Sequence, residues 1–502
     1  MDVFSGLMQG FAVALTPMNL AMGFLGCLLG TIVGVLPGLG PAATIAMLLP
    51  LTFKLDPTGA LIMLVGIYVG SKYGGSTTAI LLNVPGEASS VVTCLDGHQM
   101  ARQGRAGAAL GMSAIASFIA GTFSVVALML VAPPMARLSL AFSAPEYFAL
   151  MVLGLTLVVL LAGQSLTKAL LAMLVGLWIA GMGIDLFTAT SRFTFGQTEM
   201  LGGIEFVIVA IGVFAIAEVM ANIEPAKPLD MLPVPKGWRN LMPTWQDMKD
   251  CRFAFINGSV IGFIIGILPG AGATVSSFLS NGIEKSVSRH PEKFGTGAIE
   301  GVAAPEAANN ADTGGALVPL LTLGIPGSGT TAILLAALVL WGFKPGPLFI
   351  VEQPAMFWGL VASLYIGNVI LLILNLPLVP LFAQLLRMPG YALYPLILGV
   401  SIVGIYTTGS SFFALGLLAL FGLVGYLMRK LDFPIAPLIL GLVLGDGMER
   451  ALRQSLMMSQ GDLSILIRPI PLGLLLVAGF LLIVPLVKKF NSVRVKMVDP
   501  EL

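Results

Sequence analysis

Between Ala303 and Gly315 the chain sets Glu306, Asn309, Asn310, Asp312 and Thr313 among alanines. Glu306, Asn309, Asn310 and Thr313 stand at i, i+3, i+4 and i+7, the spacing of one helix face. Pro305 suits the start of a helix and Gly314 its end. The spacing therefore predicts a half-helix roughly 13 Å long. The alanines would let its polar stripe press against a neighbouring backbone. A capped surface helix would explain the ends, but not so much alanine and so little lysine. Amide, hydroxyl and carboxylate oxygens of this kind can hold a small cation or pass a proton. Glu306 and Asp312 are the acidic candidates, because ionisable groups at membrane depth carry function. Asn83, Thr330 and Thr331 join Glu306, Asn309 and Asn310 as candidate ion ligands.

A second chemistry lies in glycines and hydroxyls. Gly34-Val-Leu-Pro-Gly-Leu-Gly40 has a twin in Gly266-Ile-Leu-Pro-Gly-Ala-Gly272. Each ends an apolar run at a proline, then gives two glycines and small side chains. One Gly-x-Gly alone is better read as helix packing. Two of them beside helix-stopping prolines read as helices broken inside the membrane, whose freed N–H and C=O groups need a partner. Freed N–H groups suit a carboxylate and freed carbonyls suit a cation. The candidate substrate contacts are Gly38, Gly40, Pro41, Ala42 and Thr44 at the first break, and Gly270, Gly272, Ala273 and Thr274 at the second. Ser76 and Thr77 lie beside a further candidate breaker, Gly74-Gly75, and Ser328 follows Pro326-Gly327, beyond the matching candidate Gly314-Gly315. Any one such hydroxyl usually bonds the preceding turn, but their concentration at all four places is harder to explain so. Lys72 could pair an anion, though snorkelling to an interface is the simpler expectation. Asp96 and His98 are expected in an ordinary polar loop, Asp96–Arg105.

The elements that must position these residues are membrane helices. The 502-residue chain is 57% hydrophobic and only 10% charged, with formal net charge +1; soluble domains carry roughly 25% charged residues. Apolar runs of the length needed to cross a bilayer recur from end to end. Two histidines and three scattered cysteines make no zinc, haem or disulfide pattern. No Walker A sequence is present. No cofactor and no nucleic-acid partner are expected. Met1–Gly10 lacks the basic start and cleavage site of a signal peptide, so the first span is expected to be retained.

The fold expected is an all-α polytopic membrane protein. Residues 1–221 would form a first repeat, 222–252 a polar linker, 253–489 a second repeat and 490–502 a polar tail. Gly74-Gly75 to Pro85-Gly86 is echoed by Gly314-Gly315 to Pro326-Gly327, with one residue more. Ala42–Phe53 is too short to span and reads as one arm of a re-entrant hairpin. Basic charge falls in non-equivalent loops, at Arg102–Arg105 in one half and Lys285–Lys293 in the other. Opposite orientations would produce this under the positive-inside rule, so the repeats are expected to be inverted. The basic linker and tail count against it, unless one half has an extra helix. Paired discontinuous helices are the pattern of alternating-access transporters, here expected to be elevator-type.

Four stretches carry a family resemblance: Gly34-x-Leu-Pro-Gly-x-Gly40, Tyr73-Gly-Gly-Ser-Thr-Thr-Ala-Ile-Leu-Leu-Asn-Val-Pro-Gly86, Ala304-Pro-Glu-Ala-Ala-Asn-Asn-Ala311 and Leu323-Gly-Ile-Pro-Gly-Ser328. Together they resemble the large membrane subunit of bacterial tripartite tricarboxylate transporters, the TctA-type proteins, over nearly the whole chain. The resemblance implies an inner-membrane secondary transporter of di- or tricarboxylates, coupled to Na⁺ or H⁺. It also implies a small four-helix membrane subunit (TctB-type) and a periplasmic solute-binding protein (TctC-type). Lys72 and His98 depart from what it leads one to expect, which bears on the substrate. An intramembrane enzyme would need a nucleophile–base pair that two loop histidines do not supply. A channel would need a continuous pore lined by one kind of ring.

Overall fold

Proline sets where many of these helices begin. Pro17, Pro41, Pro57 and Pro354 each stand in the first turn of a helix, where the missing N–H would have had no partner. The computed structural model describes residues 3–36, 40–161, 165–185, 187–222, 232, 237–270, 272–385, 390–409 and 411–498. In chain order the helices are α1 (Val3–Ala14), α2 (Pro17–Val35), α3 (Pro41–Thr52), α4 (Pro57–Leu82), α5 (Val91–Met100), α6 (Ala106–Ser139), α7 (Ala144–Leu161) and α8 (Leu166–Ala180). After the two-residue strands β1 (Gly183–Ile184) and β2 (Ser191–Arg192) come α9 (Phe206–Ala210), α10 (Ala217–Asn222), α11 (Trp245–Asp250), α12 (Arg252–Ile267), α13 (Gly272–Val287), α14 (Glu300–Leu323) and α15 (Gly329–Leu340). The remainder are α16 (Phe349–Glu352), α17 (Pro354–Asn375), α18 (Val379–Leu385), α19 (Gly390–Gly409), α20 (Phe412–Lys430), α21 (Ile435–Met458) and α22 (Pro469–Val498). Among the described residues five helices are long and apolar enough to cross a membrane, or six if the pair Arg239–Asp250 and Arg252–Ile267, bent by 87°, is one span. The chain is an all-α, multi-pass membrane protein.

Packing divides the chain into two units. The first comprises 1–139 and 205–431, the second 140–204 and 432–502. In the second unit α7, α8, α21 and α22 pack together. The β1–β2 hairpin is held to α21 by ion pairs: Arg192 grips Glu449 at 2.9 and 3.2 Å, and Arg453 reaches Asp185 at 2.9 Å. The Phe187 N–H, then that of Thr188 and the two arginines, hold the Asp185 carboxyl down at about 2.

The first unit is built on two helix pairs, α2 with α4 and α12 with α14. Every residue of α4 from Gly59 to Leu82 is buried, and so is every residue of α14 from Gly301 to Thr322. Glycines make this possible by letting backbones touch. A Cβ on Gly26, Gly30 or Gly34 of α2 would come within 2.3–2.5 Å of the carbonyl oxygens of Met63, Ile67 and Ser71. On α12, Gly258, Gly262 and Gly266 stand 2.3–2.5 Å by the same measure from the carbonyls of Ala304, Ala308 and Asp312. In return, Gly74 faces the Thr31 carbonyl and Gly315 the Phe263 carbonyl, both at 2.3 Å.

Several expectations change here. Gly74-Gly75 and Gly314-Gly315 do not stop their helices. α4 runs on to a left-handed Asn83 and α14 to a left-handed Gly324. Those glycines allow close crossing, and the breaks come nine residues later. Likewise Pro305 lies inside α14, so the half-helix 305–314 is one part of a 24-residue helix. Gly74 matches Gly315, not Gly314, which removes the extra residue from the echo. Asp96–Arg105 is helical, divided between α5 and a π-turn, rather than a loop.

Candidate functional site

The first break separates α2 from α3. Gly38 lies outside the described residues. Gly40 is extended (φ −77°) before α3, and Pro41 begins that helix with no side chain capping it. Thr44 turns its hydroxyl back to the Gly40 carbonyl at 3.3 Å, and Ala42 is half-buried. At the second break Gly270 and Gly272 have φ of +87° and +61°, which glycine adopts without strain. The Gly270 N–H donates to the Gly327 carbonyl at 2.8 Å, and Ala273 and Thr274 open α13.

Two more breaks follow α4 and α14, and they are alike. Asn83 and Gly324 end the helices in the left-handed region, and Pro85-Gly86 and Pro326-Gly327 follow. The Glu87 N–H then donates to the Ser90 hydroxyl at 3.3 Å, as the Ser328 N–H does to Thr331 at 2.8 Å. Ser328 and Thr331 complete a reciprocal capping box at the start of α15. The breaks cross over. α3 packs against α15, and α13 packs against the turn Ala88–Ser90. Each helix after a Pro-Gly-x-Gly break thus meets the segment that follows the other buried helix, α14 or α4.

The polar residues of α14 from Glu306 to Thr313 are all buried but split between two surroundings. Glu306 receives hydroxyl hydrogens from Ser76 of α4 at 2.5 Å and from Thr93 of α5. Asn310 donates to Ser117 of α6 at 2.7 Å. Among the described residues Asn309 finds no hydrogen-bond partner for either end of its amide, nor does Oδ1 of Asp312. Thr313 and Ser328 lie beside the Tyr68 hydroxyl, with Asp312 and Glu87 close by. Thr77 lines a small gap with Tyr73, Ser113 and Asn375. Of the expected ion ligands, Asn83 is exposed and Thr331 is occupied by its cap, while Thr330 is buried.

Lys72 does not snorkel. It is buried and its ammonium lies 2.8 Å from Glu87. His98 and Asp96 are not loop residues either. His98 Nδ1 meets the Ile80 carbonyl at 3.0 Å, while Asp96 takes the N–H groups of Gly295, Gly297 and Ala298 at 2.8–2.9 Å. That nest fixes the entry to α14 and is structural. The sequence reading missed Glu87, Thr93, Tyr68 and Ser117. Glu87-x-x-Ser90 follows Pro-Gly as Ser328-x-x-Thr331 does, and that parallel is the signal that could have found Glu87. Tyr68 and Lys72 form an i, i+4 polar pair in an apolar span, a weaker signal.

Chemically the site offers helix N-termini for anions and, a few residues away, buried carboxylates and amides for cations. A family model described as the tripartite tricarboxylate transporter TctA family matches residues 20–440. A relative from Agrobacterium vitis, described as an uncharacterized 52.8 kDa protein in the TAR-I ttuC' 3' region, is 47% identical over 501 residues, 99% of each chain. Another from the same organism, in the TAR-II ttuC' 3' region, is 42% identical over 231 residues, covering 45% of this chain and 96% of its own. The broken helices and the match agree, and the chain belongs to the TctA family, a membrane component of tripartite tricarboxylate transport.

Proposed function

We propose that this chain is the permease of an ion-coupled, binding-protein-dependent secondary transporter that imports di- or tricarboxylates across the bacterial inner membrane. Its partners are a small four-helix membrane subunit of TctB type and a periplasmic solute-binding protein of TctC type. The observation that supports the reading is the crossed packing of the breaks, α3 against α15 and α13 against the turn Ala88–Ser90. Each helix N-terminus supplies about half a positive charge. A substrate charged at two ends is then held without burying free lysines, whose desolvation is costly. Matching glycine contacts and matching caps support two repeats, and the unequal basic loops support their inversion. An elevator movement of the whole site is the mechanism that suits paired broken helices.

Two experiments test this. In proteoliposomes, counterflow of di- and tricarboxylates should saturate with substrate concentration. A flux that rises without saturation would make the protein a channel. Cysteines placed at Ala42 and Ala273 should both be shielded from an impermeant thiol reagent by substrate with Na⁺. Shielding of one alone, or of neither, rejects a site shared by the two arms.

A further inference from the structure

Three charged side chains are buried together near the second breaks: Lys72, Glu87 and Asp312. Lys72 and Glu87 neutralise each other at 2.8 Å, and Glu87 also accepts from Ser89. Among the described residues Asp312 has no ion-pair partner, and its Oδ1 accepts no hydrogen bond. One ammonium against two carboxylates leaves one negative charge. Away from water such a charge is costly until something compensates it.

Asp312 is 1% exposed, and its neighbours supply further oxygens. One turn earlier on α14, Asn309 is fully buried, and among the described residues both its amide atoms are unpartnered. An amide so placed is as costly as an unmade hydrogen bond, and its carbonyl oxygen is a neutral acceptor. Thr313 follows Asp312 directly and sits beside the Tyr68 hydroxyl. Glu306 differs, since the hydroxyls of Ser76 and Thr93 already occupy its two oxygens. From this geometry we propose that Asp312, Asn309 and Thr313 form a Na⁺ site, with Asp312 as its one charged ligand and the Tyr68 hydroxyl alongside. A single carboxylate among neutral oxygens balances a monovalent ion and leaves a divalent ion with excess charge. The proposal rests on the transport reading and assigns the coupling ion to particular atoms of α14.

The test is thermal unfolding of the purified full chain in detergent at pH 8, followed by tryptophan fluorescence. NaCl is titrated against choline chloride at constant ionic strength, with KCl as a further arm. Wild type should gain Tm saturably with Na⁺, as expected of a ligand that binds only the folded state. Asp312→Asn should need roughly a hundredfold more Na⁺ or lose the response, and in choline alone it should melt at or above wild type. That last result separates lost binding from damaged folding. Asn309→Ala keeps the charge, and its half-saturating Na⁺ should rise about tenfold. A full Na⁺ response in Asp312→Asn, an unchanged half-saturation in Asn309→Ala, or a wild type that responds equally to KCl overturns the site. Saturable carboxylate counterflow in the same preparation would leave the transport reading standing if this one falls.

Discussion

The pair α2–α4 and the pair α12–α14 share a frame and differ in what it carries. From α4 to α14 the shared positions lie 241 residues apart: Gly74 with Gly315, Asn83 with Gly324, Pro85 with Pro326, Glu87 with Ser328. At that offset Tyr68 answers to Asn309, Val65 to Glu306, Ser71 to Asp312 and Lys72 to Thr313. Backbone contact is conserved between the pairs, while side-chain chemistry is not. The first pair presents Lys72 to Glu87 beyond its break, and the second buries two acids, Glu306 and Asp312, beside amides. Glycines therefore specify the frame, and the polar residues set on it differ between the two pairs.

The severest way to break this comparison is to attack the frame. Gly74→Val and Gly315→Val each drive a side chain into a carbonyl of the partner helix, costing at least ~3 kcal/mol. Both should prevent accumulation of folded protein, measured by detergent-solubilised fluorescence chromatography. Folding of either variant would show that the two crossings are not equally tight. Gly40→Val is the contrast, because among the described residues nothing lies within 4 Å of its Cβ, and its φ is ordinary. It should fold and lose uptake, whereas normal uptake would reduce the first break to a packing device.

Next in size is the ion pair. Lys72→Met strands Glu87 and should cost about 3–5 kcal/mol. Adding Glu87→Gln should recover most of that, because the stranded charge goes too. Comparing the single and double variants by thermal unfolding gives the coupling. A double variant no better than Lys72→Met would mean that the lysine acts elsewhere. Smaller still, Glu306→Gln should cost roughly 1–3 kcal/mol and alter the Na⁺ and pH dependence of uptake more than expression. Unchanged profiles would make Glu306 a hydrogen-bond post between helices.

The smallest effect lies in the second unit, where the arginines that hold Asp185 are partly exposed. Asp185 titrates at about 2 in the folded chain against an ordinary 3.8. Its contribution is therefore complete above pH 4 and is lost as the pH falls from there toward 2. Asp185→Asn should narrow the gap between melting temperatures at pH 5 and pH 3. An equal gap in the variant would show that Arg453 and Arg192 hold the hairpin without it.

Much of this was legible in the sequence because membrane helices announce themselves by length and apolarity. α3 falls within one residue of the run Ala42–Phe53 that marks it, and Pro37 and Pro269 stand just past α2 and α12. Helix breakers were less legible. Gly74-Gly75 reads as a stop by composition, yet a glycine buried against another backbone is held helical by its neighbour, and tertiary contact overrides propensity. The stripe on α14 was legible as a stripe, but not its division, because only the neighbouring helices decide which residue meets a hydroxyl. Lys72 was misplaced for the same reason: its partner Glu87 lies beyond a break in the chain.

The glycine seams also bear on motion. Along four contacts in each pair, backbone meets backbone with no side chain between. Such a joint has no soft material to deform, so α2 cannot slide along α4 by a fraction of a turn without lifting off it. Amides along both seams should then exchange hydrogen only when the whole unit opens, as the slowest set in the chain. Any displacement within this unit then has to be taken up in the connections around these pairs, because each pair is stiff as a solid plate.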